Sequence, residues 1–255
     1  MITMSVITAT LNSVETVKRT LGSVVDQKVE GLEYIVVDGG SSDGTLEILD
    51  SYGTKITHLA SEADDGVSDA FNKGIGLAKG EYIGILNSDD FYETDILSKI
   101  LVFAAENNHP DVIYGSIRFL SGELEYLEQP DISRIWDYMS IFHPSMFIRS
   151  SAYRENGGYS LSYRYAMDCE WVHRALAKGL RFVEYPGVVA TMRLGGLSHR
   201  NLGASLAEFR RSSITNRGQA LRAWYFFSRQ YLLQTGLKSR WLKLLNLSRR
   251  NLPYA

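Results

Sequence analysis

The stretch that most limits what this chain can become is Tyr82-Ile-Gly-Ile-Leu86, followed at once by Asn87-Ser88-Asp89-Asp90. The apolar run is too brief for a helix and reads as a buried strand that stops abruptly in polar and acidic residues. In a parallel α/β sheet, ligands collect beyond the carboxyl ends of the strands. Adjacent carboxylates there repel each other and gain nothing unless a cation or hydrogen-bond donors lie between them. An all-oxygen ligand set favours a hard divalent ion, Mg²⁺ or Mn²⁺, held partly by substrate phosphates. The structural alternative is a strand-end turn in which Asp90 caps a helix beginning near Thr94.

The preceding residues repeat the pattern. Residues 4–10, 32–37 and 56–60 read as strands, and helical spacing separates them: Val14, Val17, Leu21, Val24 and Val25 after Asn12, a plausible N-cap, then a helix from Thr45 and another from about Val67. Strand and helix alternate as in a parallel sheet built from right-handed crossovers. Thr10, Asp38, Glu62 and Asp89 then lie at successive strand ends and crowd one edge of the sheet, which marks a site. The loop from Asp38 to Gly44 is neither a dinucleotide fingerprint nor an EF-hand, and no phosphate-binding P-loop motif occurs. It is either a tight turn capping the next helix or a nucleoside contact made by Asp38.

Beyond Asp90 the rhythm changes. Residues 111–116 read as a strand, 118–127 as a hairpin around Ser121-Gly122, and 143–148 as a further short strand. Trp136 and Tyr138 could stack on a sugar face or join the core. Residues 166–176 form an amphipathic helix with Asp168 and Glu170 in its first turn. Acids there suit the helix dipole, and Asp168 turned into the site would be a general base. His143, His173 and His199 lack zinc-ligand spacing and read as structural histidines. The single cysteine, Cys169, excludes an internal disulfide and a cysteine-based zinc site. With no signal peptide and no uninterrupted apolar span, a cytoplasmic location is expected.

Taken together, Ser5 to Asn12, Val36 to Thr45, Asn72-Lys-Gly-Ile75 before Gly80, Leu86 to Asp90, and Asp168 to Arg174 resemble, in order, the motifs of family 2 glycosyltransferases of the GT-A fold. Several of these motifs are similar to those of bacterial enzymes assembling colanic acid and O-antigen. The resemblance implies a Rossmann-like, mostly parallel central sheet flanked by helices, with a catalytic domain over residues 1–204. It implies inverting transfer from a nucleotide-diphosphate sugar, with Mn²⁺ or Mg²⁺ as cofactor. Thr8, Thr10, Asp38, Asn72, Lys73, Asn87, Asp89 and Glu170 would bind the donor, Asp89 and Asp90 the metal, and Asp168 would be the catalytic base. Asn87 stands where the family's D-x-D region has its first Asp, and Met167 where a Glu often precedes the base.

Other readings differ in what they require. A sugar-nucleotide nucleotidylyltransferase would want a glycine- and arginine-rich loop after the first strand, and Thr10-Leu-Asn-Ser13 offers none. A catalytically inactive scaffold subunit finds support only in Asn87. The tail adds a last clue. After Glu208 there is no acidic residue, while Arg210, Arg211, Arg217, Arg222, Arg229 and five further basic residues follow. Residues 205–255 read as a basic amphipathic helical extension. Its aromatics and leucines suit an anionic membrane surface, where a lipid-linked glycan acceptor would sit, at least as well as base stacking on nucleic acid, and the membrane is the partner expected. The alternative is that they fold back onto the catalytic domain.

Overall fold

The computed structural model describes residues 3–122, 124–195 and 201–234. The first half is the expected alternation: β1 (Met4–Thr10), α1 (Val17–Val25), β2 (Leu32–Asp38), α2 (Thr45–Tyr52), β3 (His58–Ser61), α3 (Val67–Leu77) and β4 (Tyr82–Asn87). The second half holds β5 (Phe91–Tyr92), α4 (Ile96–Glu106), β6 (Val112–Ser121), β7 (Leu124–Glu128), β8 (Met146–Arg149), α5 (Ser150–Asn156), α6 (Met167–Ala177) and β9 (Phe182–Arg193). Two last helices, α7 (Leu202–Arg217) and α8 (Ala220–Gln234), complete the described chain.

All the strands among the described residues belong to one sheet, ordered β3-β2-β1-β4-β8-β6-β9-β5, with β7 paired to the later part of β6. β3, β2, β1 and β4 run parallel, with Thr10 opposite Asp38, Asp38 opposite Ser61, and Ala9 opposite Asn87. The polar strand ends therefore share one edge, as the sequence pattern requires. β8 enters antiparallel against both β4 and β6, and β6–β7 is the expected hairpin.

Side chains alternate across the strands, so each strand feeds two cores. Ile7, Ile35, Val37, Ile83 and Ile85 face Phe71 of α3 and Trp171 and Val172 of α6. Val6, Val36 and Leu86 face Val17, Leu21 and Val24 of α1 and Leu97 and Ile100 of α4. Asn12 is not the helix cap. It takes a left-handed φ of 48°, and its Oδ1 accepts from the Ser42 N–H at 2.9 Å, so α1 starts later, at Val17.

The terminal helices are tied to the sheet domain. Glu208 of α7 accepts the backbone N–H groups of Arg164, Tyr165 and Ala166 at 3.0, 2.8 and 2.9 Å. Residue 204 lies within this same helix. On α8, Arg222 makes a bidentate pair with buried Asp137, at 2.9 and 3.0 Å.

His173 joins the same seam. It is fully buried, stacked on Trp136 with ring centroids 4.4 Å apart. Its Nε2 donates to the Ile135 carbonyl at 3.0 Å, which leaves Nδ1 to accept from the Ser212 hydroxyl at 2.9 Å. Burial pushes its pKa down to about 4. The unfolded chain, with a histidine near 6.5, therefore binds more protons than the folded one between those values, and stability falls as pH drops through that window. The shift corresponds to about 3 kcal/mol. Urea unfolding at pH 7 and pH 4.5 should show a large part of that loss, and His173→Gln should flatten this component of the pH slope.

Candidate active site

Beyond the carboxyl ends of β1 and β4 opens a cleft of about 1370 Å³. Its first wall comes from the loops after those strands. The loops after β1 and β2 are laced together: the Asn12 N–H donates to the Ser41 hydroxyl at 2.8 Å, and the Ser13 N–H to the Thr45 hydroxyl at 2.8 Å. Ser13 also shares a 2.7 Å hydroxyl contact with Ser88, joining the β1 loop to the β4 end. Thr10, Asn87 and Asp89 face the cleft. The Thr10 hydroxyl is buried and has no partner.

The opposite wall is built on α6 and the turn before β8. Asp168 opens to the cleft from the first turn of α6. Its Oδ1 accepts the Cys169 N–H at 2.8 Å and its Oδ2 lies 3.3 Å from His143 Nδ1. Arg164 and Arg193 add positive charge to the lining, and Phe142, Phe209, Phe226 and Phe227 add apolar surface.

Thr10, Asn87, Asp89 and Asp168 are thus brought together as expected; the other named positions are placed elsewhere. Asp90 turns away from the cleft, 1% exposed, and its Oδ1 accepts the Arg193 N–H at 3.1 Å. Burial, reinforced by neighbouring Asp89, raises its pKa well above the usual carboxylate range. An inward-facing acid of this kind is a poor metal ligand, so of the expected acidic pair Asp89 alone faces the cleft. Thr8 is fully buried with its hydroxyl 3.0 Å from that of Tyr34. Asp38 is fully buried as well. It accepts from the Gly40 and Ser41 N–H groups at 3.0 and 2.9 Å, from the Ser41 hydroxyl, and from the Ser61 hydroxyl at 2.8 Å. It shapes the loop instead of facing a nucleoside. The neighbouring Gly39 makes room for a protein side chain, since a Cβ there would stand 2.7 Å from Asp64 Oδ2.

Asn72 clasps the backbone of Tyr159, accepting its N–H and donating to its carbonyl, both at 2.8 Å. Any Cβ on adjacent Gly158 would collide with it. Lys73 pairs with Glu62 at 2.8 Å and Asp69 at 3.2 Å. Glu170 lies along α6 in a pair with Arg174, at 2.9 and 3.0 Å. Trp136 is committed to the His173 stack, whereas Tyr138 reaches the cleft. His199 lies outside the described residues. His143 belongs to the cleft although its spacing gave no hint of it; the nearest signal is its place beside Pro144 at the start of a strand.

Residues 5–187 match the family model described as Glycosyl transferase family 2. The chain belongs to that family. A "PGL/p-HBAD biosynthesis glycosyltransferase" of Mycobacterium bovis is 30% identical over 201 residues, spanning 76% of this chain and 78% of the relative. A putative teichuronic acid biosynthesis glycosyltransferase of Bacillus subtilis, TuaG, is 37% identical over 108 residues, 41% of this chain and 43% of the relative. Among solved structures, S. aureus TarS 1-349 in complex with UDP superposes with a TM-score of 0.70 at 18% identity, covering 97% of this chain and 76% of that one. The chain spans 46% of the longer TarS structure. Mannosyltransferase PcManGT from Pyrobaculum calidifontis, solved with GDP-Man and Mn²⁺, gives 0.62 at 17% identity, covering 96% and 81%. The family's GT-A fold is the fold seen here.

The Asn72 clasp has a measurable consequence. Asn72→Ala leaves a backbone N–H and a carbonyl of Tyr159 without their partners, which costs about 1–3 kcal/mol in unfolding free energy. Urea denaturation should show that loss while nucleotide affinity, measured by calorimetry on the folded variant, stays unchanged. A substrate-binding asparagine would give the reverse.

Proposed function

We propose that the protein is an inverting glycosyltransferase that moves a sugar from a nucleotide-diphosphate sugar to a hydroxyl of a lipid-linked glycan acceptor in bacterial surface polysaccharide synthesis. The observation that carries this reading is the cleft itself. Asp89 from the end of β4 and Asp168 from the start of α6 open into one space beside the unpartnered Thr10 hydroxyl. Family membership, relatives named for PGL/p-HBAD and teichuronic acid biosynthesis, and neighbours solved with UDP, UDP-GlcNAc and GDP-Man support it.

In this reading the donor's diphosphate lies against Asp89 and the loops after β1 and β4, with Asn87 beside it. Asp168 accepts the proton of the acceptor hydroxyl as that oxygen bonds to the anomeric carbon. The bond from that carbon to the diphosphate breaks on the opposite face, and its electron pair leaves with the nucleotide. Arg193, whose backbone N–H donates to Asp90 next to Asp89, would offer a positive charge to the departing diphosphate. No covalent enzyme intermediate is required.

A divalent ion suits this arrangement. Among the described residues no group of three or more His, Cys, Asp or Glu side chains could cage a metal. Mg²⁺-type sites nevertheless commonly use one or two carboxylates, with substrate phosphates completing the shell, and Asp89 offers one such carboxylate. The chemistry that Mn²⁺ or Mg²⁺ supplies there is neutralisation of charge on the departing diphosphate.

The acceptor's lipid would account for two apolar surfaces. The cleft is lined in part by Phe142, Phe209, Phe226 and Phe227. Outside it, α8 exposes Leu221 at 89% and Tyr225 at 63%, in a stretch of sequence that carries basic but no acidic residues after Glu208. Among the described residues no helix is long and apolar enough to cross a membrane. Peripheral attachment to an anionic surface, on the inner face of the cytoplasmic membrane, is the fitting mode. Each basic group near such a surface is worth about 1 kcal/mol, so the exposed apolar side chains must add to the attraction.

Two outcomes are expected. Asp168→Asn keeps the size of the side chain but cannot take a proton; turnover should fall about 10²- to 10⁴-fold with donor affinity nearly unchanged. Near-normal transfer by the variant would move the base elsewhere. In sedimentation with vesicles, the protein should bind anionic but not neutral lipid. Replacing Leu221 and Tyr225 together by Ser should weaken that binding, and equal binding of variant and wild type would remove α8 from the membrane contact.

A further inference from the structure

We propose that His143 is the positioning residue of the Asp168 carboxylate, fixing its orientation through a donated Nδ1–H; the inference rests on the reading of Asp168 as the base. His143 opens the single 3₁₀ turn His143–Ser145, with Pro144 as its second residue. That turn is closed by the Ser145 N–H and hydroxyl, both donating to the Phe142 carbonyl at 2.9 Å. It runs directly into β8, which is pinned between β4 and β6. Phe71 packs against the imidazole, with centroids 5.5 Å apart. The ring is therefore placed by the sheet, while Asp168 belongs to α6. Their 3.3 Å contact crosses from one unit to the other.

The tautomer follows from the surroundings. A neutral imidazole donates at one nitrogen and accepts at the other. With the proton on Nδ1, Asp168 Oδ2 gains a donor and Nε2 keeps a lone pair. With the proton on Nε2, two lone-pair-bearing atoms face each other at 3.3 Å. The N–H would then also lie at an atom that is buried and has no partner. The first arrangement is the one this pocket accommodates.

The consequence is orientational. The carboxylate torsion of an aspartate is broad and roughly two-fold, so one donor does not hold it. Asp168 has two, one on each oxygen: the Cys169 N–H on Oδ1 and His143 on Oδ2. Together they fix the plane of the group and leave its remaining lone pairs for the cleft, where the acceptor hydroxyl must meet one of them. Small misplacements of a reacting group can cost about 10²-fold in rate.

The test compares His143→Ala, His143→Asn and His143→Gln, each checked for folding by its thermal melt. Asn presents an N–H at the position of Nδ1; Gln presents one at the position of Nε2. Turnover is read as nucleoside diphosphate released from UDP-GlcNAc or GDP-mannose. His143→Ala should lower it about 10- to 100-fold without changing donor KM. His143→Asn should recover much of the loss and His143→Gln should not. Added to Asp168→Asn, His143→Ala should cost nothing more, because the two act as a unit. A loss equal in all three variants, or one that multiplies with that of Asp168→Asn, would overturn the proposal. If Asp168→Asn itself turns over normally, the base assignment falls and the inference falls with it. Nitrogen NMR of ¹⁵N-histidine-labelled protein decides independently of any substrate. It should find the proton on His143 Nδ1, with that preference lost in Asp168→Ala, and a proton on Nε2 would contradict the account.

Discussion

The cleft depends on the parallel register of β2, β1 and β4. Thr10 stands opposite Asp38 and Ala9 opposite Asn87, so three loops leave the sheet at the same height and can be sewn to one another. Because side chains alternate faces, slipping one strand by a single residue would exchange its two cores and put the loop after it out of step with its neighbours. The two hydrophobic cores resist that slip, as Ile7, Ile35 and Ile85 have partners only on one face and Val6, Val36 and Leu86 only on the other. The geometry of the site is in this sense a by-product of core packing.

Register places only one wall. The other is carried by α6, and its supports come from distant parts of the chain. Glu208 holds the three N–H groups just before the helix, Asn72 holds the turn at Tyr159, and Glu170 braces Arg174. The bonds of Glu208 and of the Glu170–Arg174 pair, being charge-assisted, belong to the stronger class of hydrogen bond. The terminal helices thus act on the site in two ways, by steadying the start of α6 and by supplying Phe209, Phe226 and Phe227 to the cleft. Aromatic residues in a basic tail therefore divide between the inside of the site and the outer surface.

That division explains what could be read from the chain alone. The alternation of strand and helix, the shared edge, and the positions of Thr10 and Asp89 on it followed from period and from polar residues at element ends, which are local signals, whereas Asn87 and the role of Asp168 were legible only through the family resemblance. Asp89 and Asp90 could not be told apart by type; their opposite fates come from the chain's turn after β4, which sends one carboxylate out and the other inward. Asp38, Asn72 and Lys73 have partners at Ser61, Tyr159 and Glu62 that no local pattern announces. Glu170 was different, since its spacing of four from Arg174 on one helix already favoured an ion pair. His143 stayed hidden because its partner lies on another element.

The central proposal is that the cleft takes the donor's diphosphate beside Asp89, which would also hold the divalent ion. Calorimetric titration of UDP and of GDP, with and without Mn²⁺, tests it most directly in wild-type protein and Asp89→Ala. At least one nucleotide should bind wild type more tightly when Mn²⁺ is present, and that metal dependence should vanish in the variant. Unchanged affinity and unchanged Mn²⁺ dependence in Asp89→Ala would contradict the account.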